Sequence, residues 1–506
     1  MEVCGAMKKY LLGIDNGGTY SKAALFDLEG NQVNKKSIRI PVSAPREGFT
    51  QRGLEDIKKG NYQIIADIVR ECDGEIVSVG VTGHGKGLYL LGKNREYIYD
   101  GIGSTDSRAL SYELEWKKSG VAERIYDRTV QSVMACQPVA LLRWLKDEEP
   151  EIYGRIGSVM AVKDFVRYCL TGEVYAEYTD ISGTNLLNLR TKAYDRELLS
   201  EFGIEEMYDR LPPIKRSYEA AGSISREAAL ATGLKEGVPV AAGMFDIDAC
   251  ALAMGNVKPM DLCMIAGTWG INQYVSPKLV DDRSISMNSI FCNPDYFLAE
   301  ESSAASAGNL EWFVKLLNQN DYEEINSMVE SVPPEDCNLY YMPFLYASNE
   351  NPLARGMVIG LDGSHTKAHL FRAVYEGVVF AHLTHLTALI QSRPIPEVIR
   401  LGGGVVNSRV WSQMFADILQ IPVKLISDVE LGAKGAAMAA GVGAGIYRDY
   451  DMAVQCCVGE GEIIYPDTEK AGIYRKKYEN YKKINASMNV VWGDLRCLKD
   501  ENGDMP

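Results

Sequence analysis

Two glycine-rich turns carry residue types that can bind phosphate. The first follows an apolar run and reads Asp-Asn-Gly-Gly-Thr over residues 15–19. Glycine lets backbone N–H groups approach phosphate oxygens because no Cβ stands in the way. The carboxylate of Asp15 can hold Mg²⁺ directly or through water. An ordinary hairpin turn explains the pattern equally well. The candidate phosphate contacts of this turn are Gly17, Gly18, Thr19 and Lys22.

A similar unit recurs in the second half of the chain. The strand pattern 261–266 leads into Gly267 and Thr268, and another strand pattern follows at 271–275. The two turns are separated by about half of the 506 residues. This recurrence predicts two related α/β halves that face each other across a cleft.

A third glycine-rich segment lies at residues 402–404, ahead of an amphipathic pattern over 410–417. Bare backbone in such a loop can stack against the flat face of adenine and reach ribose. A helix start with a flexible loop is the alternative. Residues 80–87 approach a P-loop, but Gly87 stands where that motif needs a hydroxyl for Mg²⁺.

An apolar run over 238–245 leads into two carboxylates, Asp246 and Asp248. A general base for a sugar hydroxyl belongs where a strand opens into a cleft, and Asp246 has that place. Asp248 is the alternative, and a helix cap accounts for either. Polar clusters at 82–87 and 104–108 either line a polyol site or form solvated loops. Their candidate sugar contacts are His84, Lys86 and Asp106.

The composition is typical of a globular protein of mixed α/β class. Apolar residues make up 46% and charged residues 24%, and strand patterns alternate with helical ones. The apolar stretch 366–390 predicts a long buried helix. Because 506 residues exceed one ordinary core, we predict two domains, residues 1–254 and 255–506. Met7 is a candidate natural start, which makes residues 1–6 either a leader or an added segment. The stretch after residue 494 is expected to be loosely held.

The charge and cysteine content exclude several classes of partner. A net charge of −15 argues against broad binding to nucleic acid or to an anionic membrane. It leaves open an anion held locally by backbone amides. The 11 cysteines are odd in number and form no CxxC pair, as expected of reduced cysteines in a cytoplasmic protein.

Taken in order, these motifs resemble the FGGY family of carbohydrate kinases over nearly the whole chain. The most specific match is the C-terminal signature, Gly-Met-Val-Ile-Gly-Leu at 356–361 and the segment 369–377 that ends in Glu-Gly. Lys163-Asp164 and the segment 180–184 also fit. The resemblance implies two ribonuclease H/actin-like domains with a catalytic cleft and ATP between them.

The resemblance also implies roles for single residues. Asp246 is the catalytic base in the N-terminal, sugar-binding domain, and Asp15 organises Mg²⁺ and the phosphates. Gly267 and Thr268 form the second phosphate turn in the C-terminal, ATP-binding domain. The implied adenosine contacts are Gly403, Gly404 and Ser408.

Three positions depart from the family pattern. Gly18 stands where the first phosphate turn usually has Thr, so Thr19 would take over that contact, and Leu141 stands where Lys is usual. Lys86 stands where family members that act on D-xylulose carry His. This change predicts that the site recognises a sugar other than D-xylulose. The ammonium group of Lys86 can also pair with the carboxylate of a keto sugar acid.

The resemblance implies transfer of the ATP γ-phosphoryl group to a terminal hydroxyl of a ketopentose. L-xylulose is favoured, with L-xylulose 5-phosphate and ADP as products. The alternative substrates are D-xylulose, L-ribulose, 3-keto-L-gulonate and erythritol. An actin- or chaperone-like ATPase is the alternative of another class. We expect a cytoplasmic enzyme without nucleic-acid or membrane partners. A homodimer is the candidate assembly.

Overall fold

The computed structural model describes residues 7–346, 348–427 and 430–495. The candidate leader or added segment at 1–6 and most of the stretch after residue 494 lie outside these ranges. The chain forms two compact units. The first comprises residues 7–259, Val275–Ala299 and Glu430–Gly459, and the second comprises the other described residues. The predicted division after residue 254 stays a prediction.

The first unit is built on a mixed sheet around one hairpin. Strand Lys9–Asn16 pairs antiparallel with Tyr20–Phe26, which pairs with Gln32–Arg39. On its other side Lys9–Asn16 pairs parallel with Glu75–Gly83, and Met244–Phe245 pairs parallel with Glu75–Gly83 in turn. Three parallel strands therefore end at the same edge of this sheet, which is where ligand sites form in open α/β sheets.

Helix Leu431–Gly443 packs tightly on this sheet because two strands lack side chains at the contact. Gly13 and Gly80 face each other in the parallel register. A Cβ on Gly13 would overlap the carbonyl oxygen of Ala433, and a Cβ on Gly80 would overlap that of Ala436. Only glycine allows the helix backbone to lie this close to the sheet.

The second unit repeats the same arrangement of strands. Leu262–Ala266 pairs antiparallel with Gly270–Ser276 and parallel with Ile399–Gly402. Ile399–Gly402 then pairs parallel with Val423–Leu425, which pairs antiparallel with Ile463–Ile464. Both predicted strand–turn–strand units are confirmed, as is the mixed α/β class.

Helix Lys367–Ile390 is the core helix of the second unit. Among the described residues it is the one helix long and apolar enough to cross a membrane by length and composition. However, 72% of its most apolar window is buried inside the protein. The predicted buried helix is confirmed.

The remaining elements of the first unit are short strands and connecting helices. The strands are Gln51–Arg52, Tyr89–Gly92, Gly101–Ile102, Ile156–Met160, Ala176–Glu177, Leu187–Asn188, Ala193–Tyr194, Ile214–Lys215, Ala220–Ser223, Pro239–Ala241 and Met287–Ile290. The helices are Leu54–Glu71, Leu110–Lys118, Val121–Thr129, Pro138–Glu148, Pro150–Arg155, Val162–Thr171, Tyr178–Ser182, Arg196–Glu201, Arg226–Thr232, Asp246–Ala253 and Tyr450–Cys457, with a 3-10 helix at Glu205–Arg210.

The remaining elements of the second unit surround its sheet. The strands are Tyr340–Met342 and Met357–Ile359, and strand Phe297–Ser303 spans the division between the units. The helices are Gly308–Leu316, Tyr322–Glu330, Arg409–Leu419 and Ala471–Met488, with a 3-10 helix at Gly404–Asn407.

Candidate active site

Two carboxylates that the sequence singled out lie at the same edge of the first sheet. Asp15 ends one strand and is paired in register with Thr82 of the central strand. Met244 is paired with Thr82 from the other side, and the hydroxyl of Thr82 donates to the Met244 carbonyl at 2.7 Å. Asp246 follows two residues later and begins helix Asp246–Ala253. The strands that lead to Asp15 and Asp246 thus flank one central strand.

The exposure of the two candidate bases differs. Asp246 is partly exposed, whereas Asp248 has no exposed surface. The N-cap residue of the helix is Phe245, so Asp246 is not the cap. A base that takes a proton from a bound sugar must be reached by it, and this favours Asp246.

One carboxylate oxygen of Asp15 has no hydrogen-bond partner among the described residues. Its Oδ1 is buried and accepts no hydrogen bond within the described part of the chain. Burial raises the pKa of Asp15 to about 6, an effect that Lys22 opposes and Glu430 adds to. Glu430 pairs with Lys22 at 3.0 Å and with Lys35 at 3.4 Å. Asp15 therefore offers a carboxylate oxygen of the kind that Mg²⁺ prefers.

Packing does not account for the glycines of the first turn. Of the atoms in the described ranges, a Cβ on Gly18 would meet none within 4 Å, and one on Gly17 would meet only the Tyr20 carbonyl at 3.5 Å. Neither glycine has a positive φ angle. Gly18 and Thr19 are exposed. The fold tolerates side chains at these glycines, so bare backbone here fits the predicted contact with a ligand.

The turn in the second unit has the same open character. Within the part of the chain that the structure describes, a Cβ on Gly267 would meet only the Trp269 carbonyl at 3.8 Å, and Thr268 is exposed. The Gly267 N–H donates to the Trp269 carbonyl at 3.1 Å. Helix Gly308–Leu316 begins against this turn, where a Cβ on Gly308 would lie 3.0 Å from the Thr268 carbonyl. Its N-terminus supplies a positive dipole end beside the turn.

The predicted adenosine segment combines fold-determined and open positions. Gly403 has a φ of 90°, and a Cβ there would lie 2.6 Å from the Ala266 carbonyl, so the fold requires glycine. Gly404 is exposed, and no described residue lies within 4 Å of a Cβ built on it. Ser408 caps the next helix, where its Oγ accepts from the Trp411 N–H at 3.1 Å. The same hydroxyl donates to the side-chain Oδ1 of Asn326 at 2.7 Å. A contact of Ser408 with adenosine stays a prediction.

The segment 84–87, here called the sugar loop, holds two of the candidate sugar contacts. His84 is buried, and burial together with Arg52 lowers its pKa to about 3. Lys86 is half-buried with a φ of 62°, and within the described residues it has no ion-pair partner. The imidazole is therefore neutral, and Lys86 carries the free positive charge of the loop.

Asp106 has its acceptor capacity filled by protein donors. One oxygen accepts from the Thr50 N–H at 2.7 Å and from Arg108 Nη2 at 2.8 Å. The other accepts from the Arg108 N–H at 3.0 Å and Nε at 2.9 Å. A carboxylate offers about four acceptor positions. The arrangement fixes this loop, and a contact of Asp106 with sugar stays a prediction.

Sequence reasoning missed the groups that fix the backbone before Asp246. The Phe245 N–H donates to Thr179 Oγ1 at 2.8 Å, and this hydroxyl donates to Glu177 at 2.8 Å. Lys163, with no exposed side-chain surface, pairs with Asp164 at 2.7 Å and lies 3.6 Å from Glu177. The sequence signal for this cluster was the pair Lys163-Asp164, which fits the family pattern but carried no predicted role.

A buried histidine in the second unit predicts a specific loss of stability in acid. His382 bonds Asn272 at 2.7 Å and Ser306 at 3.2 Å, and burial lowers its pKa to about 3. The unfolded chain, with a His pKa near 6.5, binds more protons between pH 6.5 and 3, so stability falls as pH falls. We expect His382→Gln to reduce this loss by about 1.4 kcal/mol per pH unit in that window. Urea unfolding at pH 7 and pH 5 measures the free energy of unfolding of both proteins. An equal loss of this free energy between the two pH values in wild type and variant would contradict the prediction.

Comparison with known proteins identifies the family. Residues 10–253 match the N-terminal domain of the FGGY family of carbohydrate kinases, and residues 262–444 match its C-terminal domain. The chain is 36% identical to the L-xylulose/3-keto-L-gulonate kinase of Escherichia coli K12, over 95% of this chain and 98% of that protein. It is 34% identical to the "Probable L-xylulose kinase" of Pasteurella multocida, over 95% and 99%.

The fold agrees with a solved relative. The xylulose kinase structure from Lactobacillus acidophilus superposes with a TM-score of 0.91 at 23% identity, over 96% of this chain and 100% of that one. The predicted fold class and the family resemblance are both confirmed. The chain belongs to the FGGY family of carbohydrate kinases.

Proposed function

We propose that this enzyme transfers the γ-phosphoryl group of ATP to a terminal hydroxyl of L-xylulose, giving L-xylulose 5-phosphate and ADP. As a carbohydrate kinase it takes a sugar and ATP as substrates. The placement of Asp246, partly exposed at the strand edge that also carries Asp15, is the observation that carries the proposed chemistry. The relatives named L-xylulose kinases, similar over their whole length, support the choice of sugar.

Asp246 is proposed to act as the general base. It accepts the proton of the sugar hydroxyl as that oxygen bonds to the γ-phosphorus, and the bond to the β,γ-bridging oxygen breaks to release ADP. Positioning and electrostatic stabilisation account for most catalysis in this reaction class. The hydrogen bond from Phe245 to Thr179 holds the backbone that presents Asp246.

The glycine-rich turns are proposed to bind the nucleotide. In the first unit, the backbone of residues 17–19 holds phosphate oxygens and Lys22 balances their charge. In the second unit, Gly267 and Thr268 bind phosphate. The adenosine contacts there are proposed to be Gly403, Gly404 and Ser408.

Asp15 is proposed to hold Mg²⁺ with the phosphates. Its Oδ1, which has no partner in the described ranges, and its partial burial fit this role, since Mg²⁺ is usually bound through one or two carboxylates, substrate phosphates and water. When bound, the ion neutralises charge on the phosphates. The residues present therefore fit the metal that the family implies.

Lys86 supports a second candidate substrate, a keto sugar acid such as 3-keto-L-gulonate. This half-buried ammonium has no ion-pair partner within the described residues, so a substrate carboxylate would complete it. One relative is named for both substrates. An enzyme with this site can phosphorylate both sugars, and Lys86 sets the ratio of kcat/KM for the sugar acid to kcat/KM for L-xylulose.

Replacing Lys86 with methionine separates the two substrates. A hydrogen bond to a charged group contributes about 1.5–3 kcal/mol, so kcat/KM for 3-keto-L-gulonate is expected to fall by roughly 10- to 100-fold. The value for L-xylulose is expected to fall much less. The exposed Lys93→Met variant is the control and is expected to change neither. Equal losses for both sugars in Lys86→Met would contradict this role.

The cellular setting completes the proposal. We propose that the enzyme acts in the cytoplasm, with sugar and ATP as its ligands and without nucleic acid or membrane. The homodimer stays a prediction. The family assignment disfavours the actin- or chaperone-like ATPase considered from the sequence alone.

A panel of sugars in an ATP-coupled phosphorylation assay tests the proposed substrate. It contains L-xylulose, D-xylulose, L-ribulose, 3-keto-L-gulonate and erythritol. We expect the highest kcat/KM for L-xylulose, with 3-keto-L-gulonate as the next best substrate. A clear preference for D-xylulose or erythritol would reject the substrate while leaving the kinase assignment intact.

A further inference from the structure

A buried arginine lies directly behind the first phosphate turn. Arg52 is 2% exposed and belongs to the two-residue strand Gln51–Arg52. Its Nη1 donates to the Gly17 carbonyl at 2.8 Å. Its Nη2 donates to the Tyr89 hydroxyl at 2.7 Å and lies 2.9 Å from His84 Nε2. One guanidinium therefore contacts both the phosphate turn and the first residue of the sugar loop.

In the part of the chain that the structure describes, the charge of Arg52 forms no ion pair. Within the described residues no carboxylate lies in ion-pairing distance of it, and neutral groups accept its hydrogen bonds. A buried charge without a partner is costly, and an apolar residue is often cheaper in such a place. Stability alone therefore does not explain an arginine at this position. Its hydrogen bonds to the phosphate turn and to the sugar loop offer an explanation.

His84 is held as a neutral acceptor for this arginine. Its Nδ1 lies 3.2 Å from the Gly85 carbonyl, and the neutral ring leaves Nε2 to accept from Arg52. The backbone N–H of His84 also donates to the Asn16 carbonyl at 3.0 Å. The side chain and the backbone of His84 are thus both tied to the residues of the phosphate turn.

The rest of the sugar loop is fixed from its other end. The Gly87 N–H donates to the Cys136 carbonyl at 2.8 Å, and the Leu88 N–H donates to the Ile102 carbonyl at 3.0 Å. Between the two anchors Lys86 has a positive φ of 62°, which is uncommon outside glycine. The position of Lys86 therefore depends on where His84 is held.

We propose that Arg52 is a positioning residue that couples the first phosphate turn to the sugar loop. Nucleotide bound at residues 17–19 fixes the Gly17 carbonyl, and through Arg52 and His84 it orders the loop that presents Lys86. The coupling rests on the proposed nucleotide contacts of this turn. It gives the sugar loop a way to respond to the nucleotide before any sugar is bound.

Hydrogen exchange on the full chain tests the coupling without any sugar. Saturating adenylyl imidodiphosphate with Mg²⁺ is expected to slow exchange of the amides of residues 84–88 in the wild type by about tenfold, within the usual range for coupled sites. In Arg52→Lys, which keeps the charge but not the forked donor, this protection is expected to be lost at full nucleotide occupancy. Equal protection in the variant, or none in the wild type, would overturn the proposal.

Two further variants separate coupling from folding. Arg372 is the control, since it is also buried and also donates to backbone carbonyls, those of Val329 and Val332, and to a tyrosine hydroxyl, that of Tyr474. It differs from Arg52 in that it also pairs with Glu376 at 2.9 Å. Arg372→Lys is expected to retain the protection at residues 84–88. If Arg52→Lys does not fold, Tyr89→Phe removes one acceptor of Arg52 and is expected to lose part of the protection. Full protection in Tyr89→Phe would then overturn the proposal.

The exchange experiment and the sugar assay fail independently. No sugar is present in the exchange experiment, so an unexpected substrate in the sugar panel leaves the coupling standing. Conversely, absence of coupling leaves the ketose assignment standing.

Discussion

Replacing Asp246 with asparagine is expected to lower kcat for sugar phosphorylation by about 10³-fold. Proton transfer by a positioned side chain typically contributes 10²–10⁴-fold, and an amide cannot accept the hydroxyl proton. The KM for ATP is expected to change little, because Asp246 is assigned to the sugar hydroxyl. Steady-state kinetics with L-xylulose measures both values.

Asp248→Asn is the comparison that decides between the two candidate bases. Asp248 has no exposed surface, so its replacement is expected to affect stability more than the chemical step. Thermal unfolding and nucleotide binding show whether each variant is folded. Near wild-type turnover in folded Asp246→Asn, with loss in folded Asp248→Asn, would transfer the role to Asp248.

Replacing Gly80 with alanine is expected to destabilise the first unit by about 3 kcal/mol. Overpacking typically costs 1–3 kcal/mol, and the added methyl group overlaps backbone atoms of helix Leu431–Gly443, which cannot rotate away. The same helix brings Gly432 against Asp15, where a Cβ would lie 2.8 Å from Oδ2. Activity is therefore expected to fall with stability. Denaturant unfolding measures the change.

Gly154→Ala is the matched control for this substitution. Gly154 lies in helix Pro150–Arg155 and is exposed, and a Cβ on it would meet no atom of the described residues within 4 Å. Alanine is favoured over glycine inside a helix by roughly 0.5–1 kcal/mol, so stability is expected to stay equal or rise. A Gly80→Ala protein as stable as Gly154→Ala would show that the close approach of helix and sheet is not needed.

The sequence predicted the elements whose signals are local. The two strand–turn–strand units were visible because strand patterns flank a turn with paired glycines in one case and a Gly-Thr turn in the other. The long apolar stretch around Phe371 and Val378 indicated the buried helix. The position of Asp246 was predicted because an apolar strand pattern ends just before it. These features depend on neighbours in sequence.

Other features depend on partners far away in the chain. No periodicity indicates that residues 430–459 belong with the first sheet, since that packing rests on Gly13 and Gly80 having no side chains. Arg52 lies in a two-residue strand too short to give a pattern. Asp106 has a suitable residue type for a sugar contact, but only the structure reveals that Arg108 and Thr50 fill its acceptors.

Phosphorus NMR of the reaction product tests the central proposal most directly. With L-xylulose and MgATP, the wild type is expected to convert ATP to ADP while forming one phosphomonoester, whose phosphorus couples to the C5 protons of the sugar. Asp246→Asn is expected to form almost none in the same time. ATP consumption that yields only inorganic phosphate, with no phosphomonoester from any sugar of the panel, would contradict the account.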